Sequence, residues 1–288
     1  MSYYPEQQQP RRRRRQSFSG LKIRLIMAAG IMLFSVVSYY SSGTVNPVTG
    51  EKQLVGGLTP AQEVEIGRSA AYQMIQQHGG ITSDSRAGSQ MAQLGKRIEN
   101  ALYQRLQRDG IPMPYTFDFH LLADRRAINA FALPGGQIFI TEALYNRLTH
   151  PGQLVGVLGH EIGHVIERHG VERMAQGGFF QRIAGAAGVA GGGRSSAGLA
   201  NAALNSIGMS YGRQAELESD RWGVLLTAQA GFDPRAMLGV MDVLDAASGG
   251  KGPPEMMSTH PKPANRKAYI QDLFRSVFPD GIPEGLEP

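Results

Sequence analysis

The chain has 288 residues, 42% of them apolar, enough for one sizeable domain with appendages and too many for a wholly disordered polymer. Its formal charge of +5 is concentrated at one end. Residues 1–24 hold Arg11, Arg12, Arg13, Arg14, Arg15, Lys22 and Arg24 against Glu6, so the remainder is nearly neutral and nucleic acid is a poor partner. Cysteine is absent, which excludes a disulfide framework, a thiol nucleophile and a Cys-based zinc site.

Residues 1–22 are polar, Gln-rich and basic, and are predicted to form a disordered cytoplasmic tail. Residues 23–40 are predicted to be a transmembrane helix or signal anchor in contact with membrane lipid. Leu25 to Tyr40 carries no charge, and snorkelling of Lys22 and Arg24 brings the span near the roughly 17–25 residues a bilayer needs. A cleaved signal peptide is the competing reading. Bases before the span and none directly after it place the N-terminus in the cytoplasm and the rest on the exported, periplasmic-type side. Residues 41–58, rich in Ser, Gly, Thr, Asn and Pro, read as a linker.

A globular domain is expected over residues 59–280. Thr59 can cap a helix with Pro60 at its first position and Glu63 just beyond; helical patterns cover about 60–77 and 87–107. Tyr115, Phe117, Phe119 and Leu121 alternate with polar residues at strand period. Asn129–Leu133, the turn at Pro134, Gly135 and Gly136, and Gln137–Ile140 suggest two more strands. Helices follow at about Pro151–His169, with Gly170 as its left-handed end, at Gln214–Ala230 and at Asn265–Val277. Residues 177–209 are a Gly/Ala-rich insertion. The fold class is therefore α+β, mainly helical, with a small sheet beside the principal helix.

That helix contains His160-Glu161-Ile162-Gly163-His164. Residues four apart lie about 40° apart in azimuth and about 6 Å along the axis, so both imidazoles reach one point, where a single zinc ion can bridge them. Glu161 lies between them in angle, placed to act as general base on a zinc-activated water. Gly156, Gly159 and Gly163 leave one face bare for another element to approach. A third ligand is needed. The metzincin pattern is excluded, because Glu167 and Gly170 stand where Gly and His would be. His169 lies about 140° from His164 on a continuous helix and reads as a helix-end or surface residue. In the later run Glu216 and Asp220 share a helix face with Gly223, so Glu216 can complete the metal shell while Asp220 orients a ligand imidazole. Glu218 points elsewhere and reads as solvated; it is the alternative to Glu216.

The HExxH helix, the Glu216-x-x-x-Asp220 helix, Ser258-Thr259-His260-Pro261 with Arg266, and Asn129-Ala130-Phe131-Ala132-Leu133-Pro134-Gly135-Gly136 together resemble metallopeptidase family 48. That group takes in CAAX prenyl proteases and the HtpX-, OMA- and BepA-type proteases, and the likeness covers about residues 59–275. It implies a zincin-like (gluzincin) domain with one Zn2+ on His160, His164 and Glu216. It further implies catalysis by Glu161, with His260 and Arg266 facing the cleft as oxyanion stabilisers; alternatively His260 closes the fourth zinc position in a resting state. Asn129, Ala130, Phe131, Pro134 and Gly135 would bind substrate as an added strand. The chain lacks the multiple spans of the prenyl-protease and HtpX types and ends before a BepA-type repeat domain. The expectation is thus a membrane-anchored zinc metalloendopeptidase acting on exported or membrane-associated, misfolded polypeptides. The rival is a zinc-dependent chaperone-like or binding protein.

Overall fold

The computed structural model describes residues 18–186, 201–202, 204–205, 210–248, 255–260 and 266–288. The basic tail up to residue 17 and most of the expected insertion at 177–209 lie outside them. The first helix, α1, spans Phe18–Ser41. It is followed by β1 (Thr44–Val45) and β2 (Lys52–Gln53), a short antiparallel hairpin, so the stretch expected as a linker carries structure. The helix α2 (Pro60–Gln77) opens on a capping box in which Gln62, rather than Glu63, reciprocates Thr59. Asp84 caps α3 (Ser85–Arg108) by accepting from the N–H groups of Arg86 and Ala87.

A three-stranded sheet follows, formed by β3 (Asp118–Leu122), β4 (Ala130–Leu133) and β5 (Gln137–Thr141). The order is β3-β5-β4, with β3 parallel and β4 antiparallel to β5. This leaves β4 at an edge. Further helices among the described residues are α4 (Glu142–Tyr145), α5 (Pro151–Ile166), α6 (His169–Ala186), α7 (Arg213–Gln229), α8 (Ala236–Ser248), α9 (Glu255–Thr259) and α10 (Arg266–Val277).

Every residue of α5 from Gly152 to Ile166 is buried, so the helix carries no solvent face, and its polar side chains Gln153, His160, Glu161 and His164 are buried with the rest. The main core gathers around it, including Ile98 and Leu102 from α3, Ile138 and Ile140 from β5, Val224 and Leu226 from α7, and Met237 and Met241 from α8. The bare glycine face meets α7. A methyl group on Gly159 would lie 3.1 Å from the Gly223 Cα, and one on Gly163 would lie 2.8 Å from the Ser219 Cα. Two backbones can approach this closely only where no side chain intervenes.

The helix stops at Ile166, short of the expected His169. Arg168 takes a left-handed conformation (φ 59°), the one non-glycine residue among those described to do so. The break therefore falls two residues before Gly170, and His169 begins a new helix.

The expected membrane span falls in α1, and it is not upheld. Among the described residues no helix is long and apolar enough to cross a membrane. The physical reason is length and composition. The uncharged run Leu25–Tyr40 is sixteen residues and includes Gly30, Ser35 and Ser38. At about 1.5 Å per residue it covers about 24 Å, against a hydrocarbon core of about 30 Å. The helix packs instead against α6, burying Ser35. The assignments of a membrane helix at 23–40, of lipid contact there, and of a cytoplasmic N-terminus with the domain on the exported side fall with it.

Candidate metal centre

Four side chains converge beneath the α5–α7 contact. His160, His164, Glu216 and His260 each offer a ligand atom, and these atoms all lie within 4.8 Å of one another. The Nε2 atoms of His160 and His164 are 3.1 Å apart, and each lies 3.2–3.3 Å from His260 Nδ1. Glu216 Oε1 is 3.1 Å from His260 Nδ1 and 3.5 Å from His164 Nε2, while its Oε2 is 3.7 Å from His160 Nε2. The α5 turn supplies the first two residues and the glycine-lined crossing delivers the third. The fourth arrives with α9, whose Met256 N–H donates to the Ile128 carbonyl just before β4.

Glu161 is completely buried, and neither carboxylate oxygen has a hydrogen-bond partner. Its Oε1 lies 3.8 Å from His260 Nε2, which is equally unpartnered. Burial pushes the Glu161 carboxyl above the ordinary range, and His260 and His160 offset this only in part. Burial, reinforced by His160 and His260, holds His164 well below the usual imidazole value, which favours the neutral form that ligates metals. For Glu216 burial alone would raise the carboxyl, but His260, His160 and Arg266 hold it below the ordinary value.

Behind the four, Asp220 Oδ1 lies 2.9 Å from His160 Nδ1. Arg266 donates to both Asp220 oxygens, through Nε at 2.8 Å and Nη2 at 2.7 Å, and its Nη1 lies 3.3 Å from Glu216 Oε2. Burial opposes the Asp220 charge, yet Arg266 and His160 hold it down at about 2. Arg266, which the resemblance turned toward the cleft, is thus engaged by carboxylates on α7. Tyr211 stacks on the His164 ring at 3.9 Å between centroids. Its hydroxyl is pushed up to about 12 by burial, which Arg173 only partly counters.

The expected substrate strand divides into two parts. Asn129, Ala130 and Phe131 are buried. Phe131 stacks on Phe139, and the Asn129 amide has no hydrogen-bond partner. A small cavity beside His164 is lined instead by Ala132, Leu133, Pro134 and Tyr211. Gly135 (φ 76°) turns the chain so close to α2 that a methyl group there would lie 2.3 Å from the Val64 Cα.

Residues 90–273 match Peptidase family M48. The chain belongs to this family. Among the curated relatives of this M48 chain is the beta-barrel assembly-enhancing protease of Escherichia coli K12, 35% identical over 62% of the chain and 39% of that protein. The Yersinia pestis protein of the same name is 32% identical over 77% of the chain and 50% of its own length. The human mitochondrial metalloendopeptidase OMA1 is 34% identical over 53% of the chain and 32% of that protein. The chain thus spans half or less of these relatives. Zinc is the metal of M48 metallopeptidases, and the His160, His164, Glu216 and His260 cluster is able to bind it.

Two residues expected to lie apart from this M48 site stand directly behind His164. His169 is buried, with Nδ1 3.0 Å from His164 Nδ1 and Nε2 2.9 Å from Glu218 Oε2. For His169 the helical angle misled, because it assumed a helix unbroken at Arg168; Glu218, on the continuous α7, points away from the ligand cluster as its angle implies and meets His169 instead.

Proposed function

We propose that the chain is a zinc metalloendopeptidase in which His160, His164 and Glu216 hold the ion and Glu161 is the general base. The donor set fits zinc: imidazole and carboxylate without thiolate, buried, with the ligand atoms of all four side chains within 4.8 Å of one another. The orphaned oxygens of Glu161 support the same reading, since a buried carboxylate left without partners is costly unless a cation answers it. When bound, zinc would supply Lewis acidity, acidifying a water and polarising the scissile carbonyl.

Glu161 takes the proton of the attacking water and returns it to the departing amine nitrogen. Its raised carboxyl pKa suits a group that must both accept and release a proton. Asp220 holds His160 through Nδ1, and Arg266 holds Asp220; both are positioning residues. His260 takes the fourth place among the ligand atoms in this arrangement. An extended polypeptide adds along the edge of β4, with Ala132 to Pro134 nearest the metal. The catalytic unit is residues 59–280, extended upstream to take in the β1–β2 hairpin. Misfolded or unassembled proteins are the fitting clients, by analogy with the names of the assembly-enhancing relatives.

The observation that carries the proposal is the buried, unpartnered Glu161 beside four convergent metal-ligating side chains. Cleavage of casein by the zinc-loaded protein should fall about 10²- to 10⁴-fold in Glu161→Gln, with zinc retained at wild-type stoichiometry. Equal cleavage by both proteins would remove Glu161 from the chemistry. Zinc binding without cleavage by either would favour the chaperone-like reading.

A further inference from the structure

Metal-binding histidines are oriented through the ring nitrogen that does not touch the metal. On α5 the two histidines are served differently. His160 gives its Nδ1 to a carboxylate, Asp220, at 2.9 Å. His164 faces another imidazole, with its Nδ1 3.0 Å from His169 Nδ1. Two imidazole nitrogens can share a hydrogen bond only if one bears the proton and the other the lone pair. Which is which decides whether His164 Nε2 is free to bind a metal.

The surroundings of His169 point to one direction. Its other nitrogen, Nε2, lies 2.9 Å from Glu218 Oε2. A carboxylate is an acceptor only, so Nε2 carries a hydrogen, and one hydrogen per ring leaves Nδ1 as the acceptor. Ser219 Oγ lies 3.4 Å from the same Nδ1, and a hydroxyl can donate there. His164 Nδ1 is then the donor, and its Nε2 carries the lone pair that points at His160 Nε2 and Glu216. Tyr211, stacked on the His164 ring, fixes the plane in which this bond lies.

We infer that His169 and Glu218 form a positioning dyad that locks His164 in the Nδ1–H tautomer, presenting Nε2 to the metal. The inference rests on the reading of His164 as a zinc ligand. It gives α7 a second duty. Residues 216, 218 and 220 of one helix supply the ligand carboxylate, the anchor of the His169 relay and the anchor of His160. The arrangement exists because Arg168 breaks the chain: on an uninterrupted helix His169 would face away from His164.

The test measures zinc affinity of the full chain by chelator competition, in wild type and in His164→Ala, His169→Leu, His169→Gln, Glu218→Ala and Glu218→Gln. Zinc dissociation constants should rise about 10- to 100-fold in His169→Leu and Glu218→Ala. They should stay within a few-fold of wild type in Glu218→Gln, which keeps an acceptor for Nε2–H. His169→Gln, whose side-chain oxygen can accept from His164, should recover part of the loss seen with leucine. The melting temperature of each metal-free protein separates lost positioning from lost folding, and Glu218→Ala, altered at a partly exposed side chain, keeps the test open if His169→Leu fails to fold. Long-range proton–nitrogen NMR of the zinc-loaded protein should show the His164 hydrogen on Nδ1. Wild-type affinity in both His169→Leu and Glu218→Ala, or a His164 hydrogen on Nε2, overturns the dyad. Undiminished zinc binding by His164→Ala would instead overturn the metal site beneath it.

Discussion

The two ends of α5 are finished by different means. At the N-terminal end Pro151 removes one donor that would have no partner, the Gly152 N–H meets the Pro288 carbonyl at 3.2 Å, and His150 provides no side-chain cap. The C-terminal end, which carries His164, is held by buried polar side chains from far upstream. Asn46 Nδ2 donates to the Ile166 carbonyl at 2.8 Å and Gln53 Nε2 to the Glu167 carbonyl at 2.7 Å. Arg168 donates through Nε to Glu63 at 2.9 Å, through Nη1 to Thr44 and through Nη2 to the Leu58 carbonyl. Tyr115 donates to the other Glu63 oxygen. The helix end nearer the metal cluster is therefore clasped by residues 44–63, all of which precede the matched span of 90–273. The backbone at the last turn of α5 is thus held in part by polar contacts from upstream of the matched span, while the His164 ring itself meets His169 within it.

The strongest way to break that difference is Arg168→Met, which leaves Glu63 buried without its guanidinium. Removing one partner of a buried pair should destabilise the protein by about 3–5 kcal/mol, read as a lower denaturant midpoint at unchanged slope. Adding Glu63→Leu should restore part of the loss. Asn46→Ala should cost about 1–3 kcal/mol, since it strands the Ile166 carbonyl, and zinc affinity should fall with it; an unchanged affinity would separate the clasp from the metal site. The smallest effect lies away from α5 and serves as a contrast. Asp124 accepts from the N–H groups of Arg126 and Ala127 and from His78. Burial alone would raise its carboxyl, but these bonds hold it below the usual value. Its stabilisation is thus full above the unfolded carboxyl value of about 3.9 and is lost as pH falls through the lower folded value. Asp124→Asn should lower stability by about 1 kcal/mol at neutral pH, with the gap closing in acid and zinc binding untouched.

Much of this site was legible in the sequence because helical angle is a local property. The HExxH helix, its glycine face, and the shared face of Glu216, Asp220 and Gly223 follow from spacing alone, and the family's fold class from the motifs together. His169 was misplaced because angular counting presumes continuity, and nothing in an arginine side chain announces a left-handed residue at 168. The β1–β2 hairpin was invisible because two-residue strands are too short to alternate, and its polar residues make side-chain amide bonds that composition reads as solvation. The span at 23–40 was misjudged by weighing absent charge above length. His260 and Arg266 come together through tertiary folding that no local pattern encodes.

The central claim is that one zinc ion sits among His160, His164 and Glu216. Anomalous scattering from crystals of the zinc-loaded protein, collected on either side of the zinc absorption edge, tests it most directly. A single strong peak is expected within coordination distance of His160 Nε2, His164 Nε2 and a Glu216 oxygen, with the His164 Nδ1 against His169. A peak bound elsewhere, or none beside these three residues at full zinc loading, would contradict it.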